Sequence, residues 1–124
     1  MSLSESAEKM EKYRTAARQR RQAKATRLRL RRERGLQIAT EASGILKRQF
    51  GAGRVVLFGS LLLPDGFHQR SDIDLAVWGL AEKDHFRAVA RLLSLDREFS
   101  IDVIRAESAP ARLLLVIEGG GMEL

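Results

Sequence analysis

The 124-residue sequence contains no cysteine, which excludes disulfides, thiolate metal sites and a thiol nucleophile and suits a reducing cytoplasm. Aromatics are scarce at 6%, so aliphatic packing must dominate any core and base-stacking platforms are not expected. No apolar run approaches the length needed to span a bilayer, and Met1 to Glu11 lacks the apolar centre of a secretory signal. A cytoplasmic protein without membrane contact is the expectation. Neither histidine, His68 or His85, has companions at metal-ligand spacing, and both read as surface or loop residues.

What is abundant is positive charge, and it is unevenly placed. Residues 1–34 hold 12 Lys or Arg against 4 Glu, a balance of +8, whereas residues 35–124 hold 10 against 12 acids, or −2. Two segments are therefore expected, a basic helical arm over 1–34 and a mildly acidic domain over 35–124. Ser2 and Glu5 form a candidate capping box, and no Pro or Gly interrupts Glu5 to Arg34, so this arm reads as a helix about 45 Å long. Leu3, Met10 and Ala17 recur seven apart, but the same line then meets Lys24 and Arg31, so no self-sufficient coiled coil follows. Three roles are open to the arm beyond that of a solvated helix: docking on an acidic partner protein, gripping a nucleic-acid backbone through residues 9–34, or lending a basic rim to a nucleotide site.

Gly35 reads as a break. Leu36, Ala39, Ser43, Leu46 and Phe50 then recur at helical spacing as far as Gly51-Ala52-Gly53. A buried strand is expected over Arg54 to Phe58, a core-facing helix over Glu82 to Ser94 with Phe86, Val89 or Ala90, and Leu93 inward, and a strand over Ser100 to Arg105. Ser108 reads as the N-cap of a short final helix through Leu113 to Ile117 that stops at Gly119-Gly120-Gly121. Trp78 and Phe67 read as packing residues. Strands alternating with helices argue for a layered α/β, or α+β, unit with helices covering a small sheet.

The chemistry concentrates between Arg54 and Trp78. Val55 to Phe58 is an apolar run that ends at Gly59-Ser60, where a glycine lets backbone approach a ligand and Leu61 to Leu63 reads as a first helical turn whose amides suit a phosphate. After the turn signal Pro64-Asp65-Gly66, the run Asp72-Ile73-Asp74-Leu75 alternates with period two and sets Asp72 and Asp74 on one face. Two like charges on one face of an apolar strand need a cation, and hard oxygens suit Mg²⁺ or Mn²⁺. Asp102 similarly interrupts the apolar run Ile101-Asp102-Val103-Ile104. With no lysine or arginine within the strand core to pair with it, that placement needs a reason, of which an exposed edge face is one.

Gly59-Ser60, ten intervening residues, then Ser71-Asp72-Ile73-Asp74-Leu75 resembles the signature of the DNA polymerase β-like nucleotidyltransferases, in particular the minimal nucleotidyltransferases. The resemblance covers Leu36 to the C-terminus. It implies a mixed, twisted sheet of the nucleotidyltransferase palm type, with Asp72, Asp74 and Asp102 as catalytic residues and as ligands of two Mg²⁺ ions. It implies that Gly59 and Ser60 hold the phosphates of ATP. It further implies transfer of AMP to a hydroxyl, on a tyrosine of a helical HEPN-type toxin partner, with the chain as antitoxin. Alternatives are a non-catalytic antitoxin acting by contact through the basic arm, and transfer to a small molecule. Family members often carry arginine shortly after the Gly-Ser pair, where this sequence has Leu61-Leu62-Leu63. Arg70 or an arginine of the arm is then the candidate cation.

Overall fold

The structure, a computed structural model, describes residues 3–63 and 72–124. The expectations for Ser2, Pro64-Asp65-Gly66, Phe67, His68, Arg70 and Ser71 lie outside these residues. The chain opens with helix α1 (Leu3–Phe50, 48 residues), followed by strand β1 (Arg54–Phe58), a 3-10 turn (Ser60–Leu62), strand β2 (Ile73–Trp78), helix α2 (His85–Leu93), strand β3 (Ile101–Arg105), helix α3 (Ala111–Gly120) and a short strand β4 (Met122–Glu123). The four strands form one mixed sheet in the order β3-β2-β1-β4. Strand β1 pairs antiparallel with β2 and with β4, and β2 pairs parallel with β3. The parallel pair needs a crossover, which α2 supplies. This is the expected α+β architecture of a small mixed sheet covered by helices, with a long basic N-terminal helix.

The period-two alternation of the strands divides the core in two. On one face Val55, Leu57, Ile73, Leu75, Val77, Ile101 and Val103 pack with Ile38, Ala42 and Leu46 of α1 and Ala88 and Leu92 of α2. On the other, Val56, Phe58 and Ala76 pack with Ile117 of α3, joined by Trp78, Ile104 and Leu113.

Gly35 does not break the helix; α1 runs straight through it. The glycine is buried, and a Cβ there would lie 2.9 Å from Leu61 Cδ1 and 3.2 Å from Phe99 Cε1. Its lack of a side chain lets the helix approach the turn after β1 and the start of β3, and tertiary packing overrides glycine's low helix propensity. Gly35→Val is expected to cost about 1–3 kcal/mol by overpacking. Gly44→Ala, which meets only the movable end of Arg48, is expected to gain up to about 1 kcal/mol from propensity. Urea unfolding of the two variants checks both signs.

Three arginines at the end of the basic segment are bound to the domain. Arg31 stacks 4.1 Å over the Phe99 ring and donates to the Glu98 carbonyl at 3.1 Å, Arg32 donates to the Leu62 carbonyl at 3.2 Å, and Arg34 pairs with Asp96 at 3.4 Å. At the other end of the sheet Arg54 donates to Glu118 and Glu123, each at 2.6 Å, and lies 4.3 Å over Trp78. This ties α3 and β4 to β1, together with Leu124 N–H on the Val55 carbonyl at 3.0 Å.

Other expectations are corrected. Phe86 and Leu93 do not face the core; they are 84% and 62% exposed, while Ala88 and Leu92 are buried. The segment carries two overlapping apolar stripes, and the one with Ala88 and Leu92 faces the sheet, with Val89 packed partly against the same core. His85 is not a loop residue but opens α2, its Nε2 at 2.9 Å from the Val103 carbonyl. The last helix begins after Pro110 with no side-chain cap, so Ser108 is not its N-cap, and it continues through Gly119 and Gly120 to end at Gly121. A Cβ at Gly121 would run into Val56, and this close approach carries the chain into β4.

Candidate active site

The site lies where β1 ends beside the starts of β2 and β3. Strand β1 delivers the chain to Gly59, whose φ of 85° and ψ of −157° fall in a region essentially restricted to glycine. The next three residues form the 3-10 turn, in which the N–H groups of Leu62 and Leu63 bond to the carbonyls of Gly59 and Ser60. The first amides of the turn, Ser60 and Leu61, have no backbone acceptor among the described residues. Leu61 is fully buried and anchors the turn against α1.

Asp72 is exposed just ahead of β2, Asp74 is half-buried as the second residue of β2, and Asp102 is exposed as the second residue of β3. Asp74 is in register with Phe58 on one side and with Asp102 on the other. Neighbouring strands lie about 4.8 Å apart, and residues in register point to the same face. The parallel β2–β3 pairing thus brings Asp102 beside Asp74, and the pleat adds Asp72 to that face. Asp102 is an exposed residue of the edge strand β3, and its register sets it next to Asp74. Gly59 also belongs to this group: a Cβ on it would strike the Asp74 Oδ2 atom and lie 3.3 Å from Cγ. The glycine turn and the central carboxylate are in contact distance, although fourteen residues separate them in sequence.

Burial pushes the Asp74 carboxyl up from its ordinary value of 3.8 to about 6, and the like charges of Asp102 and then Asp72 add to the shift. Among the described residues no Lys or Arg pairs with any of the three aspartates. Nor does any group of three or more His, Asp or Glu there stand at metal-ligating spacing. Mutually repelling carboxylates without a cation are expected to stand apart. Their chemistry fits a hard divalent ion: oxygen donors only, one half-buried and disfavoured as an anion, and no cation among the described residues to neutralise them.

Leu61, Leu62 and Leu63 bring no charge to the turn. Arg32 of α1, bonded to the Leu62 carbonyl, sets a guanidinium at the end of the turn. Nothing in its sequence position distinguished it from its basic neighbours, because the contact spans 30 residues.

A mixed sheet with carboxylates on adjacent strand starts and a glycine turn at the neighbouring strand end has the layout of a nucleotidyltransferase palm. Comparison with solved structures agrees. The chain superposes on a proposed minimal nucleotidyltransferase with a TM-score of 0.52 and 28% identity, covering 82% of this chain and 96% of that one. It is also similar to a mutant MntA–HpeT toxin–antitoxin structure, with a TM-score of 0.58 and 20% identity over 68% of this chain and 70% of the other. A toxin–antitoxin structure with AMP-PNP gives 0.56 and 24%, over 67% and 69%. No protein-family model matches the sequence. No curated protein matches it. The chain has a minimal-nucleotidyltransferase fold. No helix among the described residues is long and apolar enough to cross a membrane.

Proposed function

We propose that this chain is a divalent-metal-dependent nucleotidyltransferase that moves AMP from ATP to a hydroxyl, the acceptor being a tyrosine of a helical HEPN-type toxin partner in the cytoplasm, which the transfer silences. The observation that carries the chemistry is the convergence of Gly59, Asp74 and Asp102 at one end of the sheet. The fold likeness to toxin–antitoxin structures supports the partner class.

Asp72, Asp74 and Asp102 would hold the metal, and Mg²⁺ or Mn²⁺ bound there supplies positive charge against the triphosphate. Gly59 leaves room for a phosphate against the backbone, and the amides of Ser60 and Leu61, which have no backbone acceptor among the described residues, orient the β and γ phosphates together with the Ser60 hydroxyl. The acceptor oxygen bonds to the α-phosphorus as the bond to the bridging oxygen breaks, pyrophosphate departs, and Asp102, exposed at the sheet end, takes the hydroxyl proton. Residues 1–34 act as an arm and 35–124 as the catalytic domain.

The uncharged Leu61 to Leu63 favours one rival, an antitoxin that neutralises by contact alone. The test is label transfer from ATP labelled at the α-phosphate, with Mg²⁺, in the presence of the protein that co-purifies from the native host. Label on that protein with the wild type and none with Asp74→Asn is the expected result. A stable complex with no label in either case would sink the catalytic reading in favour of contact, and label only on small molecules would move the acceptor to that class.

A further inference from the structure

From Lys12 to Arg32 the sequence holds ten Lys or Arg and no acid. All of it lies within α1, whose first buried residue is Gly35. Of the ten, Arg18 contacts Glu11, and Arg31 and Arg32 are docked on the domain. The other seven are exposed and have no partner among the described residues. At 100° per residue the cations of this segment spread over about three quarters of the helix circumference. Arg14–Arg18, Arg20–Lys24 and Arg27–Arg31 are like-charge pairs one turn apart, a spacing that destabilises a free helix.

We infer that this helix is a sequence-independent binding element for duplex DNA. A protein interface is depleted of charge at its centre and needs an apolar patch. From Tyr13 to Arg29 the sector that the cations leave open carries Thr15, Ala16, Gln19, Gln22, Ala23 and Thr26, small or polar side chains that make no large apolar patch. A polyanion that surrounds the helix matches the distribution instead. The helix is about 10–12 Å across with its side chains, the width of the B-form major groove, so cations on opposite sides meet the phosphates of both strands. The 21 residues span about 31 Å, close to one turn of duplex. The narrow major groove of A-form RNA does not admit such a helix. Scarce aromatics leave no platform for single-strand stacking. Arg31 and Arg32, held to the domain, fix where the helix emerges.

This inference does not rest on the transferase reading, and its test needs neither ATP nor metal. The full chain is titrated into two unrelated, fluorescently labelled 30-bp DNA duplexes at several salt concentrations. The expected result is equal affinity for both, with log Kobs falling against log salt at a slope of about −5 to −6, as six or seven phosphate contacts require. Helicity measured by circular dichroism should rise on binding. Replacing Arg20, Arg21 and Lys24 together by glutamine, a good helix former, should flatten the slope by about 2 to 3. Duplex RNA of the same length should bind at least tenfold more weakly, and Asp74→Asn should bind DNA as the wild type does. A slope shallower than about −2, a triple variant that binds unchanged, or RNA bound as tightly as DNA would overturn the assignment. So would a co-purifying protein that the triple variant loses while DNA binds neither form.

Discussion

Asp74→Asn should lose nucleotidyl transfer by on the order of a thousandfold while making the metal-free protein more stable above pH 6. Both effects have one origin. Asp74 is half-buried beside Asp102 and Asp72, and its carboxyl is pushed up to about 6 from 3.8. A carboxylate raised on folding binds more protons in the folded state between those two values, so its contribution to stability falls as pH rises through that window. Above pH 6 the whole penalty of the charge is present; below about pH 4 the group is neutral in both states. A shift of about two units corresponds to about 3 kcal/mol at most, and solvent screening of a half-exposed group reduces this to about 1 kcal/mol. Asparagine keeps the shape and removes the charge. Its melting temperature should exceed the wild type's by roughly 3–5 °C at pH 8 and match it near pH 4. Added Mg²⁺ should raise the wild type's melting temperature and leave the variant's unchanged, because only the wild type gains by binding it. Melting curves across pH, with and without Mg²⁺, read all of this; equal curves at pH 8 together with retained turnover would remove Asp74 from the site.

The parts of this site that the sequence announced are those whose signal is local. Val55 to Phe58 followed by Gly59-Ser60 reads as a strand leaving into a tight turn, and the alternation from Asp72 to Val77 sets two aspartates on one face without knowledge of the sheet. What joins these pieces is long-range. That Asp102 stands beside Asp74 depends on β2 and β3 running parallel in register, which no spacing encodes. Gly35 illustrates the opposite error: glycine as a helix breaker is a statement about isolated helices, whereas here its bareness admits Leu61 and Phe99. Helix α2 does not turn its largest apolar residues to the sheet: Ala88 and Leu92 are buried and Val89 packs beside them, while Phe86 and Leu93 stay exposed. The two-residue β4 has no pattern of its own and exists through its pairing with Val56 and Leu57. The docking of Arg31, Arg32 and Arg34 was hidden for another reason, that twelve basic residues in one segment look alike until the fold selects three.

Gly59→Ala should separate the backbone's need for this glycine from the site's. At φ 85° and ψ −157° any Cβ is strained, and holding it there costs roughly 1–3 kcal/mol. The same Cβ would occupy the space of Asp74 Oδ2. Because that atom is the free end of a side chain, the carboxylate can swing aside at little cost in stability, and the damage passes to its position. Turnover should therefore fall at least about a hundredfold, since displacements near 1 Å are enough for that, while the fold survives with a lowered melting temperature. A double-mutant cycle with Asp74→Ala distinguishes the two contributions. Removing the carboxylate relieves the clash but not the strain, so the losses in turnover should be less than additive while the changes in stability add within about 0.5 kcal/mol. Strict additivity in turnover would mean that the alanine finds room without moving Asp74. Gly59→Ala with wild-type turnover would mean that the glycine serves the turn alone and that the phosphate end of the site lies elsewhere on the sheet edge.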